Sequence, residues 1–350
     1  MDNQLKKENN NLWVRFKRSS YVELLGIICL IITYCVIVQT QNQTFLSAAN
    51  ISNVLKQIVV YGILSCALAF PMINGTFDLS VGAIAGIGGV ICARCVKEDG
   101  FFGLYFPIGW AIVFTISVCC IFGLINGLLV ARTKIPSFIV TIGSSIAIRG
   151  ILYIFSNNTS VNGLPKSLTE ISSRVLLGIP FPTAIMILIF ICSWIVMTRT
   201  AYGRKIYAIG GSYQAAYMSG INIKAIRTST YVISAALSAV AGILMTSRVG
   251  AATPSAGDGY ETIAIAACAM GGVSLSGGSG TMVGVFLGAV MMGMITNGMN
   301  LMHLGSNWQM IVRGTLMIVA VFYSMWISDF VTRGKKHKNA YRLNTARYKM

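Results

Sequence analysis

Long apolar stretches separated by short polar breaks recur along this whole chain, and they constrain the fold more than any single motif. A helix crosses a bilayer with about twenty apolar residues. The sequence therefore predicts an all-α, polytopic membrane protein with about ten transmembrane helices. The candidate segments are 21–39, 54–73, 78–96, 108–130, 136–156, 182–198, 228–249, 260–275, 280–301 and 308–328.

Composition supports lipid as the main partner of this chain. Only 11% of the 350 residues are charged and 55% are hydrophobic, whereas a soluble domain carries about 25% charged residues. The segment 260–275 is short, and the links 74–80 and 274–280 are tight and contain glycine. Short or interrupted segments of this kind mark broken helices around a transport path.

Positive charge follows the membrane segments. The formal net charge is +17, and nineteen of the 27 Lys and Arg residues lie in the first twenty residues, the last twenty, the loop 199–227 and the turn 132–134. Cytoplasmic loops carry such an excess of Lys and Arg. We therefore expect both termini in the cytoplasm, with basic tails at 1–20 and 329–350, a transmembrane domain over 21–328, and no nucleic-acid partner.

The cysteines do not indicate a metal or redox centre. Cys92 and Cys95 have the C-x-x-C spacing of such sites, but there is no second pair and the chain has only two histidines. Most of the nine cysteines fall inside apolar segments, where a thiol behaves as a small hydrophobe. We therefore expect no bound metal.

One carboxylate stands out within the stretch MINGTFDLSVGAIAGIGG, residues 72–89. Asp78 is the one clear acid among the membrane segments, and a charge at that depth is costly, about 2.5–3.5 kcal/mol on insertion scales. It could form a polar wall or gate of a transport path. It could also cap the helix that follows, since Asp is a preferred N-cap residue and stabilises the positive end of the helix dipole. The sequence favours the cap.

Other polar side chains in or near the segments are candidates for the transport path or for helix breaks. Asn126 and Asn297 could instead join neighbouring helices by hydrogen bonds. Arg149 could snorkel to the outer interface, which the sequence favours over a contact with the substrate. The full candidate set is Asn74, Asp78, Ser80, Asn126, Arg149, Ser276 and Asn297.

The loop at about 199–227 contains a predicted surface helix. Ser212 can cap a short helix that starts at Tyr213 and ends near Ser219, before Gly220. The spacing of Tyr213, Ala216 and Tyr217 places them on one helix face. Two aromatic side chains on an exposed face would suit a partner protein, but the face could equally rest on the chain's own helices.

The motifs together resemble the ribose/galactose/xylose-type permeases of ABC transporters. INGTFDLSVG is similar to that family's signature, with Thr76 and Phe77 in place of Gly and Ile, and YETIAIAACAMGGVSLSGGSG (260–280) also fits. The blocks follow the family's order over residues 45–325. SYQAAYMSGIN (212–222) resembles the loop that couples such permeases to their ATPase, and the positions implied are Tyr213, Gln214, Ala215, Ala216, Tyr217 and Gly220. Gln214 stands where the pattern has Glu.

The resemblance implies a non-enzymatic permease subunit in a bacterial inner membrane. Such permeases work as pairs, identical or not, with a cytoplasmic P-loop ATPase that holds ATP and Mg²⁺ and an extracytoplasmic protein that delivers a monosaccharide. Asp258 and Glu261 could contact that binding protein, although Glu261 could instead stabilise the first turn of its helix. The chain itself contains no G-x-x-x-x-G-K-[ST] motif.

Two alternatives remain from the sequence. Relatives within the implied family carry nucleosides or a furanosyl signalling molecule. An ion-coupled secondary transporter would be driven without ATP, but it would need a network of acids or histidines within the membrane. With Asp78 as the one clear acid there, the sequence favours an ATPase partner.

Overall fold

The computed structural model describes residues 20–97, 105–176, 178–319 and 321–322. The predicted basic tails at 1–20 and 329–350 lie outside these residues, apart from Ser20. The named helices are α1 (Ser20–Gln41), α2 (Ala48–Ile73), α3 (Val81–Cys95), α4 (Ile108–Arg132), α5 (Ser137–Ser156), α6 (Lys166–Thr169), α7 (Phe181–Arg199), α8 (Ala201–Gly211), α9 (Tyr213–Met218), α10 (Ile223–Val249), α11 (Tyr260–Met270) and α12 (Met282–Leu301). A further helical stretch, α13, covers 306–319.

The helices bear out a polytopic membrane fold. Within the described residues, seven helices are long and apolar enough to cross a membrane: α1, α2, α4, α5, α7, α10 and α12. The apolar helices α3 and α11 are shorter. Each of the ten predicted segments overlaps one of these helices or α13. The number of crossings and the side on which the termini lie stay predictions.

Two features of the structure were not predicted from the pattern. The loop 199–227 contains a second helix, α8, whose Ile206 and Ile209 are buried. The loop between α5 and α7 contains α6, a 3₁₀ turn (Glu170–Ser172) and a short antiparallel hairpin of β1 (Val175–Leu176) with β2 (Ile179–Pro180). The elements between α5 and α7 are too short for a periodic pattern to reveal, whereas the 11 residues of α8 carry an amphipathic pattern that could have indicated it.

The helices form an inner group and an outer group. In their apolar windows α2 is 78% buried and α12 is 72% buried, whereas α4 is 22% and α5 is 17% buried. Almost every residue of α3 is buried. The outer helices expose large apolar side chains such as Ile146 and Ile154. In a membrane protein such surfaces face lipid or another subunit.

Glycines let the central helices approach each other closely. A Cβ added at Gly242 of α10 would lie 1.9 Å from the carbonyl oxygen of Ala85 on α3. A Cβ at Gly127 of α4 would lie 2.8 Å from the backbone of Thr228 on α10. Small residues of this kind are typical of helix interfaces in membranes. The backbone of α10 therefore packs directly on α3 and α4.

We expect Gly242→Ala to destabilise the fold, because the new methyl group has no space beside Ala85. Overpacking of this kind costs about 1–3 kcal/mol. Gly143→Ala is the matched control, since a Cβ on that glycine of α5 meets no atom within 4 Å. The melting temperature of the purified protein in detergent checks both. Equal melting temperatures for the two variants would show that α3 and α10 are not in close contact.

Candidate functional site

A break in helical structure joins α2 to α3. Helix α2 contains Pro71 and ends at Ile73, with Asn74 as its C-cap residue. Gly75 adopts a positive φ of 81°, which favours glycine. The backbone of Thr76 then donates a hydrogen bond to Pro71 O at 2.9 Å. We call residues 74–80 the α2–α3 break.

The carboxylate of Asp78 is buried at this break and joins the start of α3 to α10. One oxygen accepts hydrogen bonds from the backbone N–H of Ser80, at 3.1 Å, and from the Ser80 hydroxyl. The other accepts from Ser234 Oγ of α10 at 2.8 Å. Asn126 Nδ2 of α4 donates to Ser80 Oγ at 2.9 Å. Only 1% of Asp78 is exposed, so its hydrogen bonds to protein replace those to water.

The prediction that Asp78 caps α3 is wrong. The helix begins at Val81 and its N-cap residue is Ser80, whose side chain makes no capping hydrogen bond. A capping carboxylate accepts hydrogen bonds from the first turn of its helix. Asp78 instead accepts from the residue just before the helix and from α10. The carboxylate therefore fixes the break against a neighbouring helix.

The backbone of Phe77 is fixed in the same way. Its N–H donates to Ser137 Oγ of α5 at 3.0 Å. Its carbonyl accepts from the Tyr231 hydroxyl of α10 at 2.9 Å and from Thr141 Oγ of α5 at 3.5 Å. Non-helical backbone within a membrane protein needs partners of this kind, because lipid offers none.

The partners that Asp78 and Phe77 find on α10 were not predicted from the sequence. Thr230, Ser234 and Ser238 are all buried and lie four residues apart, so they share one face of the helix. This polar stripe within an apolar segment is visible in the sequence, and it could have indicated that α10 faces a polar feature.

Two candidate amides at the break retain hydrogen-bonding capacity. Among the described residues, neither side-chain atom of Asn74 has a hydrogen-bond partner, and the same holds for Oδ1 of Asn126. Each residue is only 1% exposed. Unpaired buried polar atoms cost about 1–3 kcal/mol each, so water or a polar solute would stabilise them. Their role in a transport path stays a prediction.

Asn297 lies away from the α2–α3 break and joins two helices by hydrogen bonds, which was one of the two roles considered from the sequence. Its amide exchanges hydrogen bonds with the amide of Asn50 on α2, at 2.9 and 3.0 Å. Asn50 also donates to Phe45 O at 2.7 Å. The pair ties α12 to the first turn of α2.

The predicted surface helix is present as α9. Ser212 caps it by accepting a hydrogen bond from the N–H of Ala215, and Gly220 follows it with a positive φ of 74°. The predicted common face is divided, however. Ala216 is buried against Ile209 of α8 and Ile223 of α10, whereas both tyrosines are exposed. The exposed residues of α9 are Tyr213, Gln214, Ala215, Tyr217 and Met218.

Helix α8 connects this surface to the α2–α3 break. A Cβ at Gly210 of α8 would lie 2.0 Å from Ile73 O at the end of α2. The N–H of Gly278 donates to the same carbonyl at 2.8 Å. Tyr207 of α8 donates to Gly280 O at 2.8 Å, and burial raises the pKa of this hydroxyl, so it stays protonated.

The two tight links singled out in the sequence therefore meet. The α2–α3 break and the loop between α11 and α12 pack on each other, with Ser276 O near Gly75, and α8 packs on both. Ser276 itself is exposed there. We call this end of the molecule, which also carries α9, the α9 end.

The candidates at the opposite end form a separate cluster. Arg149 Nη2 of α5 contacts Asp258 Oδ1 at 3.2 Å and donates to Gly257 O at 3.1 Å. Its side chain is only 17% exposed, but the Asp258 side chain that it pairs with is 73% exposed. Whether Arg149 snorkels to the outer interface stays a prediction, and the structure shows its guanidinium held by the 250–259 loop.

The two acids of this cluster, Asp258 and Glu261, differ in solvent exposure. The side chain of Asp258 is 73% exposed. Glu261 lies in the first turn of α11, and its carboxylate packs so close to Gly82 of α3 that a Cβ there would lie 2.3 Å away. This placement favours the helix-dipole role for Glu261. Contact of either acid with a binding protein stays a prediction.

The fold and these sites define a polytopic membrane permease, and comparison with known proteins identifies its family. The chain belongs to the family described as "Branched-chain amino acid transport system / permease component", whose model matches residues 50–321. No solved structure matches the chain.

Curated relatives match over most of their length. The ribose import permease protein RbsC of Bacillus subtilis (strain 168) is 35% identical over 85% of this chain and 90% of its own. The RbsC of Haemophilus influenzae is 35% identical over 91% of this chain and 96% of its own. The xylose transport system permease protein XylH of Escherichia coli (strain K12) is 33% identical, covering 81% and 86%.

The hydrogen bonds of Asp78 lead to a stability prediction. Asp78→Ala leaves the hydroxyls of Ser80 and Ser234 without their acceptor, so we expect a loss of about 1–3 kcal/mol in the free energy of unfolding. Asp78→Asn retains an acceptor and should lose less. Asp258→Ala is the control, because an exposed pair contributes about 0–1 kcal/mol. Thermal unfolding in detergent measures all three. If Asp78→Ala abolished transport at an unchanged melting temperature, Asp78 would be a gate.

Proposed function

We propose that this chain is the membrane-spanning permease subunit of an ATP-driven importer in the bacterial cytoplasmic membrane, and that its substrate is a monosaccharide. The names of its relatives, for ribose import and xylose transport, support the substrate class. Two permease subunits form the path, an extracytoplasmic binding protein delivers the sugar, and lipid surrounds the outer helices.

The exposed helix α9 is the single observation that carries the proposal. Tyr213, Tyr217 and Met218 are 53%, 66% and 81% exposed, and aromatic and Met side chains are enriched at protein interfaces. The Arg227 guanidinium lies 5.2 Å from the centre of the Tyr213 ring, a cation–π contact that orients this tyrosine.

Helix α9 packs closely on the helices behind it, which suits a surface that receives mechanical work. Ala216 anchors the helix to α8 and α10, and α8 packs on the α2–α3 break through Gly210. A partner ATPase that holds ATP and Mg²⁺ would move α9, and the movement would reach the ends of α2 and α11 through these contacts. This chain contributes no catalytic residue to the hydrolysis.

The first test is co-purification of the ATPase. Tyr217→Asp with Met218→Asp removes the exposed apolar surface and leaves the buried Ala216 in place. We expect at least a tenfold loss of the P-loop ATPase recovered with the tagged permease in mild detergent, measured by mass spectrometry. Tyr105→Asp is the matched control, because that tyrosine is 59% exposed and lies outside the α9 region. Equal recovery of the ATPase with both variants would contradict docking on α9.

We propose further that the chain crosses the membrane ten times, with both basic termini in the cytoplasm. Positive charge flanks both ends of the chain, as in cytoplasmic segments. A fluorescent protein fused to the C-terminus should therefore fluoresce, and alkaline phosphatase fused there should be inactive. A dark fluorescent fusion together with an active phosphatase fusion would place the C-terminus outside. The number of membrane crossings would then be odd if the N-terminus is cytoplasmic, and ten crossings would be wrong.

A further inference from the structure

A cavity of about 250 Å³ lies at the end of the molecule opposite α9. It is bounded by α2, the last turns of α10, the loop 250–259 and the first residue of α11, and we call it the α2–α10 cavity. A single buried water needs only about 10–15 Å³, and drug-sized ligands occupy about 300–1,000 Å³. The space therefore suits a small solute. Its lining includes Gln57, Tyr61, Thr246, Arg248, Ser255 and Tyr260.

Several of these side chains have unused hydrogen-bonding capacity. Gln57 makes no hydrogen bond to the residues that the structure describes, although an amide offers two donors and an acceptor. The Thr246 hydroxyl also has no partner among them, but its oxygen is buried beside Gly89 of α3 and is not open to the cavity. Among the described residues, Arg248 donates through Nη1 alone, to Lys56 O at 3.4 Å.

Aromatic side chains form another part of the wall. The rings of Tyr61 and Tyr260 meet edge to face, with centroids 5.3 Å apart and planes at 67°. Such a pair is rigid and presents an apolar face beside polar groups. The aliphatic face of a sugar ring packs well on a surface of this kind, while its hydroxyl groups need both donors and acceptors around the rim.

The charges around the cavity discriminate between solute classes. Arg248 is a cation, but none of the described residues that line the cavity carries a carboxylate. A free amino acid would bring an ammonium group with no carboxylate to pair with it, and an unpaired charge is costly in such a site. A neutral polyol meets no such penalty, and an amide and a guanidinium can each bond to two neighbouring hydroxyl groups.

We propose that the α2–α10 cavity is a monosaccharide-binding site in the permease itself, where Gln57 and Arg248 bind sugar hydroxyl groups and Tyr61 and Tyr260 contact the ring. The assignment rests on the proposed function, and it adds a site on this chain for the sugar after its release by the binding protein. Its position at the opposite end from α9 makes it an entry site.

The test measures binding of radiolabelled D-ribose and D-xylose to the full chain, assembled with its ATPase in lipid nanodiscs, with L-leucine as the amino-acid probe. We expect saturable binding of at least one sugar and none of leucine. Gln57→Leu and Arg248→Ala should each weaken sugar binding at least tenfold without loss of the ATPase. Gln57→Ser is the second variant, since it removes the amide without adding bulk. Arg174→Ala is the control, because that side chain is 63% exposed and does not line the cavity.

The outcomes separate the site from the proposed function. Unchanged sugar binding in the Gln57 and Arg248 variants would overturn the site and leave the monosaccharide importer standing. Binding of leucine with no binding of either sugar would overturn the site and the proposed substrate class together. Binding of no probe at all by the wild-type assembly would overturn the site, whereas ATP-dependent sugar uptake by the same assembly would still support the function.

Discussion

The buried carboxylate of Asp78 is the interaction on which the architecture at the α9 end depends. The chain leaves helical structure between α2 and α3, inside a protein whose outer surface is largely apolar. Backbone groups there must find partners within the protein, because lipid offers none. Asp78 and the backbone of Phe77 recruit hydroxyl groups from α5 and α10, and Ser80 recruits an amide from α4. The break is thereby held in one conformation.

A fixed break has a consequence for the neighbouring loops. Because the carbonyl of Ile73 is free at the end of α2, it can accept the N–H of Gly278 from the loop before α12. Gly210 of α8 approaches the same carbonyl at a distance that a side chain would prevent. The end of α2, the loop between α11 and α12 and the helix that precedes α9 therefore share one small contact. A movement of α9 would reach the interior through these backbone atoms, because closely packed interiors transmit displacement.

Periodicity and composition predicted the membrane helices and the short helix α9, because each depends on local features such as apolar length, the Ser212 cap and Gly220. They could not predict the partners of Asp78 or the burial of Ala216, since both depend on which helices become neighbours. Asp78 was expected to cap α3, as an acid before a helix commonly does. Its carboxylate instead accepts a hydrogen bond from Ser234, which lies 156 residues away in the chain and could not be identified as a neighbour from a local pattern. The contacts of Arg149 with the 250–259 loop likewise depend on which segments become neighbours.

Helix α10 extends past α9, the α2–α3 break and the α2–α10 cavity, and so connects all three. It starts at the Asn222 cap beside α9, carries Ser234 at the α2–α3 break, and ends with Thr246 and Arg248 at the α2–α10 cavity. Its 27 residues extend about 40 Å at 1.5 Å per residue. The helix contains no proline, and its close packing on α3 and α4 through small residues resists bending. A tilt imposed at the α9 end would therefore displace the wall of the cavity at the other end, and the proposed coupling of ATP-driven movement to sugar entry requires such a connection.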